Sequence, residues 1–106
     1  MPTGIDANKN GVLRVAYSKK TCKFHVEWQS NTGALITNDR RKLKEIIKEF
    51  DPSSLDYYLE TAAAEAAFEE NRRKNYFSVE YRTTFLIEGG CVEYWNTEIL
   101  EGYSYA

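Results

Sequence analysis

The sequence predicts an α+β domain in which two helices cover one face of a four-stranded antiparallel sheet. Three observations carry this. Residues 11–28 and 76–100 each alternate apolar and polar positions about a turn, which is the period of a half-buried strand. Residues 37–50 and 53–75 lie between them and repeat at the helical period. No further periodic stretch remains, so the element order is ββααββ. Whether the two hairpins share one sheet, or pack on either side of the second helix, stays open at this level. The length of 106 residues is that of a single domain. Residues 1–10 and 101–106 read as possible flexible arms.

In the first hairpin, GVLRVAY and CKFHVEW flank SKKT. Pairing Tyr17 with Cys22 puts Leu13, Val15, Tyr17, Cys22, Phe24, Val26 and Trp28 on a core face. Val12, Arg14, Ala16, Lys23, His25 and Glu27 take the other face, with Arg14 beside His25. Lys-Lys suits a two-residue type I′ turn poorly, so a four-residue loop is expected. QSNTGALI then forms a turn-rich connection.

Thr37 or Asn38 is expected to cap a helix that runs to about Phe50. Leu43, Ile46, Ile47 and Phe50 span its apolar face. Arg40, Lys44 and Lys48 stack beside that face at i, i+4 and i+8, an arrangement that costs about 0.2–0.5 kcal/mol per like-charged pair. Arg41 has Glu45 four residues on. The row therefore needs carboxylates from elsewhere in the fold, or a partner.

The second helix, SSLDYYLETAAAEAAFEENRRKN, is rich in alanine, leucine and glutamate. Either a Ser53-x-x-Asp56 box or Asp51 with Pro52 starts it. Leu55, Tyr58, Leu59, Ala62 and Ala66 make one apolar surface. Tyr57, Ala64 and Phe68 make a second on nearly the opposite side, which is the expected contact of a homo-oligomer.

In the second hairpin Gly89-Gly90 is the turn. Pairing Glu88 with Cys91 places Phe77, Val79, Tyr81, Thr83, Phe85 and Ile87 on the core face, facing Val92, Tyr94, Asn96 and Glu98. Arg82, Leu86 and Trp95 then share the outer face. These are residue types favoured at interface hot spots.

The net charge of −2 hides an asymmetry. Residues 1–50 carry +5 and residues 51–106 carry −7. The halves either neutralise each other or meet charged partners. There is no apolar run long enough for a membrane span, and residues 1–11 carry no apolar segment of a signal peptide. With two cysteines and no disulfide framework, a cytoplasmic or host-cytoplasmic setting is expected.

Cys22-x-x-His25 has a metal spacing, but positions three apart on a strand face opposite ways. No nucleophile stands ready beside His25, and the glycines form a turn, not a phosphate loop. No metal, no cofactor and no enzymatic activity are expected. The expected function is a non-enzymatic interaction protein of adaptor, immunity or inhibitor type that binds a protein partner. The alternative is a single-stranded nucleic-acid binder using Arg14, Lys19, Lys20, Lys23, His25, Arg40, Lys44 and Lys48.

Overall fold

The computed structural model describes residues 9–33, 36–72 and 76–104. The chain forms β1 (Gly11–Ser18), β2 (Lys23–Ser30), β3 (Ile36–Thr37), α1 (Arg40–Ile47), α2 (Leu55–Arg72), β4 (Tyr76–Glu88) and β5 (Cys91–Ser104). All strands join one antiparallel sheet in the order β3-β2-β1-β4-β5. The two hairpins therefore sit side by side, with β1 against β4 and Leu13 opposite Phe85.

The sheet has five strands, not four. Thr37 pairs with Trp28 and Ile36 with Gln29 in a two-residue edge strand. Alternation cannot mark a strand that short, and this one lies in a stretch that reads as a connection.

The first hairpin closes through the expected four-residue loop, with Ser18 opposite Lys23. The register is two residues from the one expected, so Tyr17 faces Phe24. A shift of two keeps every side chain on its face. Leu13, Val15, Val26 and Trp28 are buried as expected. Cys22 leaves the core face for the exposed turn, at φ 57°. His25 now faces Ala16, and Arg14 faces Glu27.

Asp39, not Thr37 or Asn38, caps α1, its Oδ1 accepting from the Arg41 amide at 3.0 Å. The Thr37 hydroxyl accepts from the Asp39 amide one step earlier. The helix ends at Ile47, and Leu43, Ile46, Ile47 and Phe50 are all buried over β2. The Phe50 ring lies 5.2 Å from that of Trp28.

α2 starts at Leu55, later than either expected cap. The Asp51-Pro52 peptide is cis, and the Asp51 amide donates to the Gly90 carbonyl at 2.7 Å. Backbone pairing with the second hairpin holds Asp51 out of the helix. Leu55, Tyr58, Ala62 and Ala66 are buried on the sheet. The Tyr58 ring meets Phe85 edge-on at 5.0 Å, and its hydroxyl donates to the Pro52 carbonyl.

Burial pushes the Tyr58 hydroxyl well above its usual pKa of 10.0. The folded state thus holds this proton more tightly than the unfolded state, where the group titrates near 10. Its contribution is complete below pH 10 and is lost as pH climbs toward the raised folded value. Unfolding monitored against pH is expected to show stability falling above pH 10, with a shallower fall in Tyr58→Phe. An identical alkaline slope in both chains would contradict this.

β4 and β5 begin as expected, Glu88 opposite Cys91 across Gly89 and Gly90, both at positive φ. One residue later a bulge at Glu93 shifts the register. Phe85 faces Trp95, not Tyr94; Thr83 faces Thr97, not Asn96; Tyr81 faces Ile99, not Glu98. The physical reason is burial. Thr83 and Tyr81 are each 1% exposed, and the expected register would press Glu98 against Tyr81, at the cost of desolvating a charge. The bulge instead supplies Thr97, whose hydroxyl meets that of Thr83 at 2.9 Å, and Ile99.

Asn10 Oδ1 accepts from the Gly89 amide, and the Lys9 carbonyl accepts from Gly90, so both residues are pinned to this turn. β5 continues through Ser104, into the stretch that reads as a possible flexible arm. The expectations for residues 1–8, 34–35, 73–75 and 105–106, and for the side chains of Phe77 and Tyr103, fall outside the described residues. No helix is long and apolar enough to cross a membrane, among the described residues.

Candidate functional site

The bulge at Glu93 decides which residues meet at the surface. It separates the expected trio. Arg82 and Leu86 stay on the open face of the sheet, opposite Glu98 and Tyr94. Trp95 turns to the helical side, its ring 6.2 Å from Phe85 and its Nε1 donating to Glu65 Oε1 at 3.4 Å. It is still 41% exposed.

Glu65 stands on the flank of α2 that also carries Thr61 and Phe68, since residues three and four apart share a helix face. Phe68 is 59% exposed and Ala64 is exposed; Tyr57 is half-buried, its ring edge-on to Tyr58. The expected oligomer surface and the expected partner-binding tryptophan therefore come to one side of the molecule, between α2 and the edge strand β5. Two residues that the sequence did not single out flank the same edge on the open face of the sheet. Tyr94 is 61% exposed and Leu100, unpaired at a second bulge, is 44% exposed. The signal was available: only the register that turns Thr97 and Ile99 inward avoids burying Glu98.

The open face gathers Arg14, His25 and Arg82 around a shallow depression with Glu27 and Leu100. The two arginines are already engaged. Arg14 donates to Glu27 at 3.3 Å and to Gln29 at 3.2 Å. Arg82 Nε donates to Glu98 at 2.8 Å. At the hairpin tip Lys19 pairs with Glu70 of α2, while Lys20 and Lys23 are exposed.

The row on α1 behaves differently. Arg40 donates to the Phe24 carbonyl. Among the described residues no carboxylate lies within ion-pair distance of Arg41, Lys44 or Lys48, and the expected Arg41–Glu45 pair does not form. Lys44 and Lys48 line a shallow pocket with Ser53, Ser54 and Asp56 at the start of α2. Among the described residues Lys19–Glu70 is the ion pair that joins the basic and acidic halves. The halves occupy opposite edges of the sheet. α1 lies over the β2 side; the glutamates of α2 and β5 lie on the other.

Cys22 and Cys91 are free thiols at opposite ends of the sheet, one in the β1–β2 loop and the other beside the β4–β5 turn. Among the described residues no three His, Cys, Asp or Glu side chains converge on a metal position.

Fold and surface together define an α+β domain with an open sheet face, a two-helix layer and an aromatic flank along β5. No family model, curated protein or solved structure matches the chain.

Proposed function

We propose that this chain is a non-enzymatic interaction protein, of adaptor, immunity or inhibitor type, that binds a protein partner along the β5 edge and the adjoining flank of α2. One observation carries the reading. Among the described residues five large apolar side chains are left exposed, and four of them line the β5 edge and α2: Phe68 and Trp95 on the helical side, Tyr94 and Leu100 on the open face. Aromatic residues grouped in this way are typical anchors of protein interfaces. The two free thiols suit a cytoplasmic setting, which we include in the proposal.

A second reading has its own observation. The cations Arg41, Lys44 and Lys48 on α1, which pair with no carboxylate among the described residues, suit a phosphate backbone. The engaged state of Arg14, Arg82 and Lys19 weakens the version that uses the open sheet face.

The test is capture by the immobilised chain from a lysate of the organism that encodes it, alongside titration of labelled single-stranded and duplex oligonucleotides. A protein retained by the wild type is expected to be held about 30-fold more weakly by Trp95→Ala, the loss of one hot-spot residue. Lys44→Ala/Lys48→Ala should leave its retention unchanged. Oligonucleotide affinity that collapses between about 50 and 200 mM salt, and that vanishes in the lysine variant with no protein captured, would replace this reading with the second. Sedimentation of the same samples covers self-association through Tyr57, Ala64 and Phe68: a wild-type dimer split by Phe68→Arg would make the partner a second copy.

A further inference from the structure

We infer that the partner docks by adding an extended, lysine- or arginine-bearing segment to the free edge of β5 as a sixth antiparallel strand; this rests on the protein-binding reading above. The first ground is the state of the two sheet edges. An unpaired strand edge is a template for another chain, and proteins blunt it with short strands, lysines, prolines or bulges. The β3 edge is blunted by length, since among the described residues Ile36 and Thr37 alone pair there. β5 is 14 residues long and, among the described residues, pairs with β4 along its length and elsewhere only through an isolated bridge from Cys91 to Asp51, at its start. It contains no lysine and no proline.

The second ground is regularity. Bulges interrupt β5 at Glu93 and at Leu100, but residues 94–99 keep one unbroken register against β4, from Leu86 opposite Tyr94 to Tyr81 opposite Ile99. Six residues of antiparallel strand span about 20 Å, the length of an ordinary strand. The bulges thus confine the open template to one window without removing it. Tyr94 and Trp95, at the start of that window, project to opposite faces and flank an incoming strand above and below.

The third ground is charge. Residues 91–104 carry Glu93, Glu98 and Glu101 and no cation, and Glu65 of α2 stands beside Trp95. A second copy of this chain, paired β5 to β5, would bring three more glutamates to the seam. Like charges opposed across a ladder destabilise it, whereas opposite charges support it. The complement of this edge is a cationic extended segment. Backbone hydrogen bonds supply the affinity in this mode of recognition, and side chains at alternate positions supply the selectivity.

The experiment uses the full chain, labelled with ¹⁵N, and a fluorescent decapeptide alternating Lys or Arg with Val or Thr. Binding is read by anisotropy and by hydrogen exchange at the amides of residues 94–99. The expected result is saturable binding with exchange slowed at least 10-fold at alternate amides in that window. The same peptide, N-methylated at alternate amides along the docking edge, is expected to bind at least 10-fold more weakly. A peptide with Glu in place of each cation is expected not to bind. The N-methyl control alters the probe and not the protein, so misfolding cannot imitate the result. Binding indifferent to N-methylation, or protection confined to α1, overturns the proposal. So does a dimer of the free chain with residues 94–99 already protected, which assigns the edge to a second copy. No peptide binding while Trp95-dependent capture persists overturns strand addition and leaves the protein-binding reading standing; loss of both overturns both.

Discussion

Trp28→Ala is expected to remove about 3–5 kcal/mol of stability, the range for truncating a buried aromatic side chain. The indole is wholly buried on the helical face of β2, against the Phe50 ring. It is among the largest side chains in the core that joins α1, α2 and the sheet. The strands on both sides of position 28 are held by backbone pairing, Leu13 of β1 and Thr37 of β3 lying opposite it, so the site has little freedom to collapse. A domain of this size is stable by about 5–15 kcal/mol in total, so the loss takes a large share. Trp28→Phe is expected to cost clearly less than Trp28→Ala. The buried Nε1 has no hydrogen-bond partner among the described residues, and phenylalanine removes that unsatisfied donor while keeping most of the ring. Denaturant midpoints of the three chains check this. A loss under about 1.5 kcal/mol in Trp28→Ala, at unchanged m, would mean that the tryptophan is not a keystone of this core.

Much of this architecture was legible in the residues. Leu43, Ile46, Ile47 and Phe50 recur at the helical period and are buried together, because one face of a short amphipathic helix has one place to go. Gly89-Gly90 marks its turn because both positions require positive φ. The faces of β1 and β2 survive a register error because that error was even. The candidate site was less legible, for one physical reason. β5 offers two self-consistent phases, Tyr94/Asn96/Glu98 inward or Trp95/Thr97/Ile99 inward, and an extra residue at Glu93 exchanges one for the other. Local alternation scores them alike. The choice is made by how deeply β4 is buried, which depends on α2 packing across the sheet. That choice moves Trp95 from Arg82 and Leu86 to Glu65, and with it the location of the proposed interface.

The charge asymmetry was visible as a count but not as a map. Complementary halves could have closed on each other. Instead they meet along the β1–β4 seam, where Lys19 pairs with Glu70, and leave β2 with α1 on one side of it and β5 on the other. The chain therefore presents a basic ridge at one edge and an acidic aromatic strand at the other. The two functional readings are in this sense spatially independent, and the α1 and β5 variants above can be interpreted without cross-talk.

Gly11→Ala is the second substitution expected to do large damage, and periodicity gives no hint of it. Gly11 opens β1 opposite Ser30, with Ile87 of β4 on its other side. A Cβ there would lie 2.2 Å from the Gln29 carbonyl oxygen, 2.9 Å from the Ser30 Cα and 2.9 Å from Trp28 Cη2. Two of those three atoms are backbone and cannot rotate away, and the third belongs to a side chain with no free space. β1 would have to part from β2 at the end that packs under α1. Overpacking usually costs about 1–3 kcal/mol and occasionally more; with a backbone obstacle the expected loss is at the top of that range or beyond it. Gly33→Ala is the control. Gly33 has φ +71° and open space around its would-be Cβ, so alanine there meets only the left-handed backbone penalty of about 1–2 kcal/mol. The ordering Gly11→Ala worse than Gly33→Ala, read from thermal or denaturant midpoints, separates close approach from backbone conformation. The reverse ordering would mean that β1 and β2 do not approach as closely at Gly11 as the packing of Trp28 requires.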